Sequence, residues 1–429
     1  MKVALLTLGC KVNSYETEAV WEMLERDGYQ RVDFDDFSDV YIINTCSVTN
    51  QGEAKSRKMI RHASQSNPEA IVVVMGCFSQ LRADEVLKIE GVKIVVGTNH
   101  RDMIPKLIRE YLENHQVTNI VDTLSINESY DNLSIEHFVK HQRAFLKIQD
   151  GCNNFCSYCI IPYARGRIRS KSPEVVIEEA NKLVQSGFKE IILTGIHTGG
   201  YGLDFEDYRF VDLLKALESV NGLKRLRISS IEVTELTEEV LEQFRHSKII
   251  VNHLHIPLQS GAERILHLMN RKYSKAEFLA KINELRSIKP NLSITTDVIV
   301  GFPSETEEDF CEMVDFIRQV NFSELHVFPF SKRDGTPAAK MSGQIDGLIK
   351  KERVNRLLEL SKELSMKYAI ANLNREFEVI PESFIDGMAA GHSDNYLLIK
   401  FPGDKSMIGK IVKVRMTEPG YPENIGEIR

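Results

Sequence analysis

Gln149-Asp150-Gly151-Cys152-Asn153-Asn154-Phe155-Cys156-Ser157-Tyr158-Cys159 follows directly on a strand-like run at 145–149. Three cysteines spaced by four and three residues fit on one tight loop, where their thiolates can take three corners of an iron–sulfur cubane. Most cubanes draw four thiolates from the protein. Three leave one iron with an open position, the logic that separates catalytic from closed structural metal sites. A zinc site made of these cysteines and His141 is the competing reading. Against it, no second Cys or His pair stands at zinc-finger spacing.

Downstream, strand-like runs at 190–193, 225–228, 253–256, 293–300 and 324–328 alternate with helical patterns. The clearest helix opens Ser172-Pro173-Glu174, a cap followed by proline at the first helical position. It buries Val176, Ala180, Leu183 and Val184 and ends at Gly187. Counting 145–149, about six β/α units predict an incomplete parallel barrel rather than a closed eight-fold one. Upstream, strands at 3–8, 40–44 and 71–75 alternate with helices, the first capped by Asn13 with Glu16 three residues on. This predicts a parallel-sheet α/β domain over 1–120. Ser, Asn, Asp and Glu accumulate at 124–132, so 121–142 reads as a linker. The barrel domain then covers 143–368, with a long helical run from about 345 to 373. From 369 to 429, strands at 377–380, 396–401 and 408–416 separated by Gly and Pro predict a small OB-like β-barrel.

Length and composition agree with a multidomain globular protein. The chain has 429 residues, 42% hydrophobic and 27% charged, and roughly three domains are expected at ~150 residues each. A net charge of -7, from 54 basic and 61 acidic residues, gives no global field for nucleic acid; any RNA contact needs a local basic patch. The apolar run within 1–8 is too short for a signal peptide. No stretch approaches the ~18 apolar residues of a membrane span. The expectation is a cytoplasmic protein without membrane contact.

Of the seven cysteines, Cys10, Cys46 and Cys77 form a second set. They are far apart in sequence, yet each directly follows a strand and precedes a helix: Leu8-Gly9-Cys10, Asn44-Thr45-Cys46, Met75-Gly76-Cys77. Parallel strands end on one edge, where crevices bind ligands, so three thiolates are expected to converge. Gly9 and Gly76 permit close backbone approach. Three unrelated core cysteines are the plainer alternative. Cys311, in a helix-like run at 307–318, reads as a small core residue.

The Cys-x3-Cys-x2-Cys pattern of Cys152, Cys156 and Cys159, with aromatic Tyr158 before the last cysteine, resembles the radical S-adenosylmethionine (SAM) superfamily over about 144–340. The resemblance implies that SAM chelates the open iron. Thr194-Gly195-Ile196-His197-Thr198-Gly199-Gly200 is similar to that family's glycine-rich SAM loop, and Gly301-Phe302-Pro303-Ser304-Glu305-Thr306 to a stretch near the adenine. Tyr158, Gly195, Ser230, Gln259 and Asp297 are the expected SAM contacts. With Cys10, Cys46 and Cys77 and the terminal β-barrel added, the whole chain resembles the methylthiotransferase family. That implies two [4Fe–4S] clusters, Cys10, Cys46 and Cys77 holding the auxiliary one and Cys152, Cys156 and Cys159 the SAM-binding one. Lys11-Val12, Glu16-Thr17-Glu18 and Asn44-Thr45-Cys46-Ser47-Val48-Thr49 resemble the branch acting on N6-threonylcarbamoyladenosine beside the tRNA anticodon. Sister branches act on isopentenyladenosine, where Gln-Met usually replaces Lys11-Val12, or on an aspartate of a ribosomal protein. The implied chemistry uses one SAM as methyl source and cleaves a second to a radical that removes hydrogen from C2 of the adenine.

The expected partners are a tRNA anticodon stem-loop and a flavodoxin- or ferredoxin-like electron donor. Arg165, Arg167, Arg169 and Lys171 alternate along 163–171. In an extended chain, period two places all four on one side, as a cationic strip gripping phosphates beside the site. Gly391-His392-Ser393-Asp394-Asn395-Tyr396 is similar to the core of the family's RNA-binding TRAM-like module. That module carries more acid than base, so Lys400, Lys410, Lys413 and Arg415 are expected to share a face. The rival of another class is a non-catalytic iron–sulfur protein that binds RNA.

Overall fold

The computed structural model describes residues 1–124, 130, 131, 133–136 and 141–429. Six parallel strands form the N-terminal sheet in the order Gln30–Val32, Lys2–Thr7, Val40–Thr45, Ile71–Gly76, Val92–Val96, Thr118–Ile120. The central strands are apolar on both faces because helices cover both sides: Val3, Ile42 and Val73 belong to one buried cluster, Ala4, Tyr41, Ile43 and Val72 to the other. The first helix, Lys11–Arg26, starts three residues earlier than a cap at Asn13 would place it, with Cys10 at its N-cap. Asn13 instead turns inward and donates to the carbonyls of Leu8 (2.8 Å) and Thr45 (3.1 Å).

The middle of the chain forms two arcs of parallel strands: Ala144–Lys147, Glu190–Thr194, Arg225–Ile228, and then His253–His255, Ser293–Val300, Glu324–Pro329. A parallel pairing of Leu226 with Ile250 links them, giving the expected six-strand open barrel. The first and last strands do not pair, and the N-terminal helix Lys11–Arg26 packs on the first. Ser172 accepts from the Val175 amide at the start of helix Pro173–Gln185, as its sequence dictates. Cys311 departs from expectation: it lies on the solvent side of helix Glu307–Val320 while Phe310, Met313 and Ile317 take the core face.

Helix Gly347–Ala371 leads to a closed five-stranded barrel, ordered Glu376–Ile385, Met388–Ser393, Leu398–Pro402, Asn424–Ile428, Val412–Glu418. Its expected basic face is interrupted, since Arg415 pairs with Glu376 (3.3 Å) and Lys400 reaches Glu423 (4.0 Å). The expected linker, 121–142, includes residues 125–129, 132 and 137–140, which lie outside the described residues. Its neighbours are pinned: Leu133 and Ile135 are buried, and the Ile135 amide donates to Glu179. Among the described residues, no helix is long and apolar enough to cross a membrane.

Candidate active site

Three strand-to-helix turns on one sheet edge bring Cys10, Cys46 and Cys77 together. The Cys10 thiol donates to Asn13 Oδ1 over 3.6 Å, Arg165 Nη2 donates to the same oxygen at 2.8 Å, and Arg165 Nε lies 3.3 Å from Cys77 Sγ. Cys46 abuts Gly9, where a Cβ would come within 3.1 Å of Cys46 Sγ. Burial pushes the Cys77 thiol up to about 12 against the pull of Arg165, so metal binding there must displace a proton.

The second set rides on the loop after Gln149–Asp150. Its backbone is fixed by the Cys152 amide donating to Gly166 O (3.1 Å) and the Cys159 amide to Cys156 O (3.0 Å). Cys152, Cys156 and Cys159 line a cavity of about 230 Å³ together with Tyr158, Ser230, Gln259 and Asp297. Gly195 lines the adjoining cavity of about 580 Å³, which also holds Cys10, and the two share Ile161, Ile196, Ser230 and Asp297. A Cβ at Gly195 would approach Gln149 Oε1 to 2.9 Å, and that oxygen accepts from the His197 amide. Gln259 has a φ of 64°, a costly conformation for a residue with a side chain. It is held there by its amide donating to Asp297 O and its carbonyl accepting from the Ile299 amide. Burial pushes the Cys159 thiol up to about 12.

The chemistry of the donors fits two iron–sulfur clusters with three protein ligands each. Cys311, the seventh cysteine, sits exposed on a helix of its own. The zinc reading through His141 loses its support, because that ring packs tilted against Phe145 and does not line the cavity of the three cysteines. The histidine facing the cysteine loop is His197, whose Nε2 is paired with Glu235.

The cationic strip is corrected. The segment is a helix, Ile161–Arg165, followed by the short strand Arg169–Ser170 paired with Gln149–Asp150. Period two therefore does not hold across it. Arg165, Arg169 and Lys171 are buried, and only Arg167 is exposed, its guanidinium 4.4 Å from the Phe155 ring centre. Lys171 donates to Tyr15 Oη (2.8 Å) and pairs with Glu179. Arg169 donates to Arg165 O (2.9 Å) and Asn99 Oδ1 (3.2 Å). Arg165 ties the two domains: its Nη1 meets Glu16 (2.7 Å) from one and Asp150 (3.0 Å) from the other. With Arg101, Lys147 and Asp131, and with Arg169 4.0 Å from Asp150, the set comes to four cations and three carboxylates, largely buried. Such a network tolerates burial because every charge has opposite partners.

Among the cavity residues, His255, His326 and Arg271 had no distinct signal in the sequence, and the expected SAM contact Asp297 is held by two of them. Asp297 accepts contacts from His255 Nε2 and His326 Nδ1 (3.3 Å each), and the two rings stack 5.2 Å apart. Burial works to raise the Asp297 carboxyl, but the two imidazoles hold it well below the usual carboxylate range. Arg271 lies 3.4 Å from Cys156 Sγ and pairs with Glu232. Tyr396, from the C-terminal barrel, reaches the larger cavity and stacks between His253 (4.4 Å) and His392 (4.6 Å).

Residues 146–317 match the radical SAM superfamily, and residues 2–97 match an uncharacterised protein family designated UPF0004. The threonylcarbamoyladenosine tRNA methylthiotransferase MtaB of Bacillus subtilis is 51% identical over 431 residues, covering 99% of this chain and 96% of the relative. The protein of the same name from Aquifex aeolicus is 39% identical, covering 96% of this chain and all of the relative. The chain belongs to the methylthiotransferase family of radical SAM enzymes. In this methylthiotransferase the N-terminal match contains Cys10, Cys46 and Cys77, and the central match contains Cys152, Cys156 and Cys159. Its fold is shared by the radical SAM methyltransferase TsrM of Kitasatospora setae, at a TM-score of 0.60 and 14% identity over 79% of this chain and 73% of that one.

Proposed function

We propose that this methylthiotransferase adds a methylthio group to C2 of N6-threonylcarbamoyladenosine next to the anticodon of tRNA. The observation that carries the reading is that Cys152, Cys156 and Cys159 line one cavity and Cys10, of the second set, lines another that shares a wall with it, in a chain 51% identical to a relative named for that activity. When bound, the two [4Fe–4S] clusters and SAM supply reductive SAM cleavage, the methyl group and the transferred sulfur.

The remaining work falls to the protein's own side chains. Cys152, Cys156 and Cys159 hold the SAM-binding cluster, and Cys10, Cys46 and Cys77 the auxiliary one. Tyr158, Gly195, Ser230, Gln259 and Asp297 position SAM. An anionic Asp297 suits the SAM ammonium, while Gln259 offers a side chain from a backbone locked by two hydrogen bonds. Ile161, Ile192 and Ile196 line the wall where the base must lie and keep it dry, which guards a reactive species from quenching. Arg165, buried between the two sites, fixes Cys77 relative to Asp150 on the barrel and so sets the distance between them. Electrons come from a flavodoxin- or ferredoxin-like donor.

Nucleoside mass analysis of tRNA, combined with assays of purified variants, tests the reading. Cys152→Ala should abolish 5′-deoxyadenosine formation. Cys46→Ala should retain it and stop methylthiolation. Methylthiolated RNA from the Cys46 variant, or a wild-type protein inactive on threonylcarbamoyladenosine, contradicts the assignment.

A further inference from the structure

The larger cavity has a cationic floor with donors left over. Arg143 and Arg227 line it, and with Arg225 they converge on the fully buried Glu190: Arg227 at 2.7 Å, Arg225 at 3.5 Å and Arg143 at 3.6 Å. Arg143 also pairs with Glu382 (2.9 Å), which His392 shares, and Arg225 approaches Glu378 (3.8 Å). Among the described residues, buried Arg227 Nη1 makes no hydrogen bond and buried Arg143 Nη1 has only its 3.6 Å ion-pair contact with Glu190; Arg227 has only 2% of its side chain exposed. Buried guanidinium donors without an acceptor are costly and point to an acceptor that arrives with a ligand.

Lys11 reaches the same cavity from the first turn after Cys10. It makes no hydrogen bond or ion pair with any described residue, and Arg143 and Arg227 line the same cavity. The carboxylate facing it, Asp297, is engaged by His255 and His326. Tyr396 closes the floor, with Arg143 and Arg227 at 5.8 and 5.0 Å from its ring centre.

We propose that Lys11, Arg143 and Arg227 form a subsite for the carboxylate carried by the threonylcarbamoyl group on N6 of the adenine. The inference rests on the substrate reading above and deepens it. A carboxylate and a backbone phosphate share the chemistry this site recognises. The carboxylate is favoured because the orphan donors are almost wholly buried, among strand residues and the Tyr396 ring. A base swung in from the RNA carries its N6 substituent to that depth, while its phosphates stay at the mouth. Paired guanidinium donors also suit a planar carboxylate.

The test uses anaerobically reconstituted full-length protein and three synthetic anticodon stem-loops. One carries threonylcarbamoyladenosine, one the same nucleoside with its carboxylate capped as the methylamide, and one unmodified adenosine. Affinity is read by fluorescence anisotropy, with iron content confirmed equal between variants. Wild type should bind the charged stem-loop about tenfold more tightly than the capped one, the scale of one hydrogen bond to a charged group. Lys11→Gln should shrink that gap at least threefold without changing affinity for unmodified RNA, and Lys11→Arg should keep it. Equal weakening of all three stem-loops by Lys11→Gln would assign the site to phosphate and overturn the proposal, as would a wild-type protein indifferent to the cap. Turnover of the wild type on the charged stem-loop tests the substrate reading separately: an active enzyme with no binding gap removes the subsite alone.

Discussion

Arg165 has no exposed side-chain surface, yet it touches Glu16, Asp150, Asn13 and the Cys77 sulfur. Removing it would leave two carboxylates buried with one cation fewer. Arg165→Ala should cost about 3–5 kcal/mol of stability, the usual result of breaking one side of a buried ion network. Arg167→Ala, on an exposed side chain, should change stability by under ~0.5 kcal/mol. Thermal unfolding of the two variants measures the contrast, and similar melting temperatures would contradict the burial of Arg165. The same network sets an acid limit. Burial works to raise the Glu16 carboxyl, but Arg101, Arg165 and Lys147 hold it down to about 2, against 4.5 for an ordinary glutamate. A carboxyl depressed on folding stabilises above the ordinary value, and that stability drains away as pH falls from about 4.5 toward 2. Denaturant unfolding at stepped pH should show a steep loss in this window for wild type. Glu16→Gln should be less stable at pH 7 and show a flatter slope across it.

The element that builds the auxiliary site is the strand-to-helix turn, used three times. At Lys2–Thr7 the turn runs through Gly9 with φ at 105°, a region where only glycine is comfortable. Gly9→Ala would add backbone strain and drive a Cβ to 2.9 Å from Cys46 Cβ. The expected outcome is protein that folds but binds about half the wild-type iron after reconstitution, with SAM cleavage retained. Iron and sulfide analysis checks this, and full iron loading would mean Cys46 need not sit where it does. This turn is legible in the sequence, because a cysteine right after a parallel strand has only one sheet edge to occupy. The segment 163–171 was misread for an equally physical reason. Alternation means one face only in a continuous strand, whereas helix Ile161–Arg165 interrupts it and Gly166, with φ at 76°, turns the chain. Strand Met388–Ser393, Met-Ala-Ala-Gly-His-Ser, was not anticipated, since it has no β-branched or large aromatic residue. Strand propensity is set by neighbours on the sheet more than by the segment itself.

At the scale of the molecule, all three structural units border one chamber. The N-terminal sheet brings Cys10 and Lys11, the open barrel brings Asp297 and Arg227, and the C-terminal barrel brings Tyr396. The last of these joins was hidden in the sequence because it depends on how a module at 369–429 docks. Arg227 Nη2 donating to the carbonyls of Ser393 and Asp394 (3.2 and 3.3 Å), together with Asn252 Nδ2 donating to Asp394 (2.7 Å), fixes that docking. The C-terminal barrel is therefore a wall of the chamber, and that role and a mere tethering role make different predictions for Tyr396→Ala. If the barrel only tethered RNA from outside, the variant would raise KM and leave the yield of product per SAM cleaved unchanged. As a wall, loss of the ring stacked on His253 lets water in and lets the base shift. SAM cleavage should then continue near the wild-type rate while methylthiolated nucleoside per 5′-deoxyadenosine falls about ten- to a hundred-fold, the scale of a small misplacement of reacting groups. Quantifying both products from one reaction at saturating RNA separates the two roles, and an unchanged ratio would return the barrel to tethering alone.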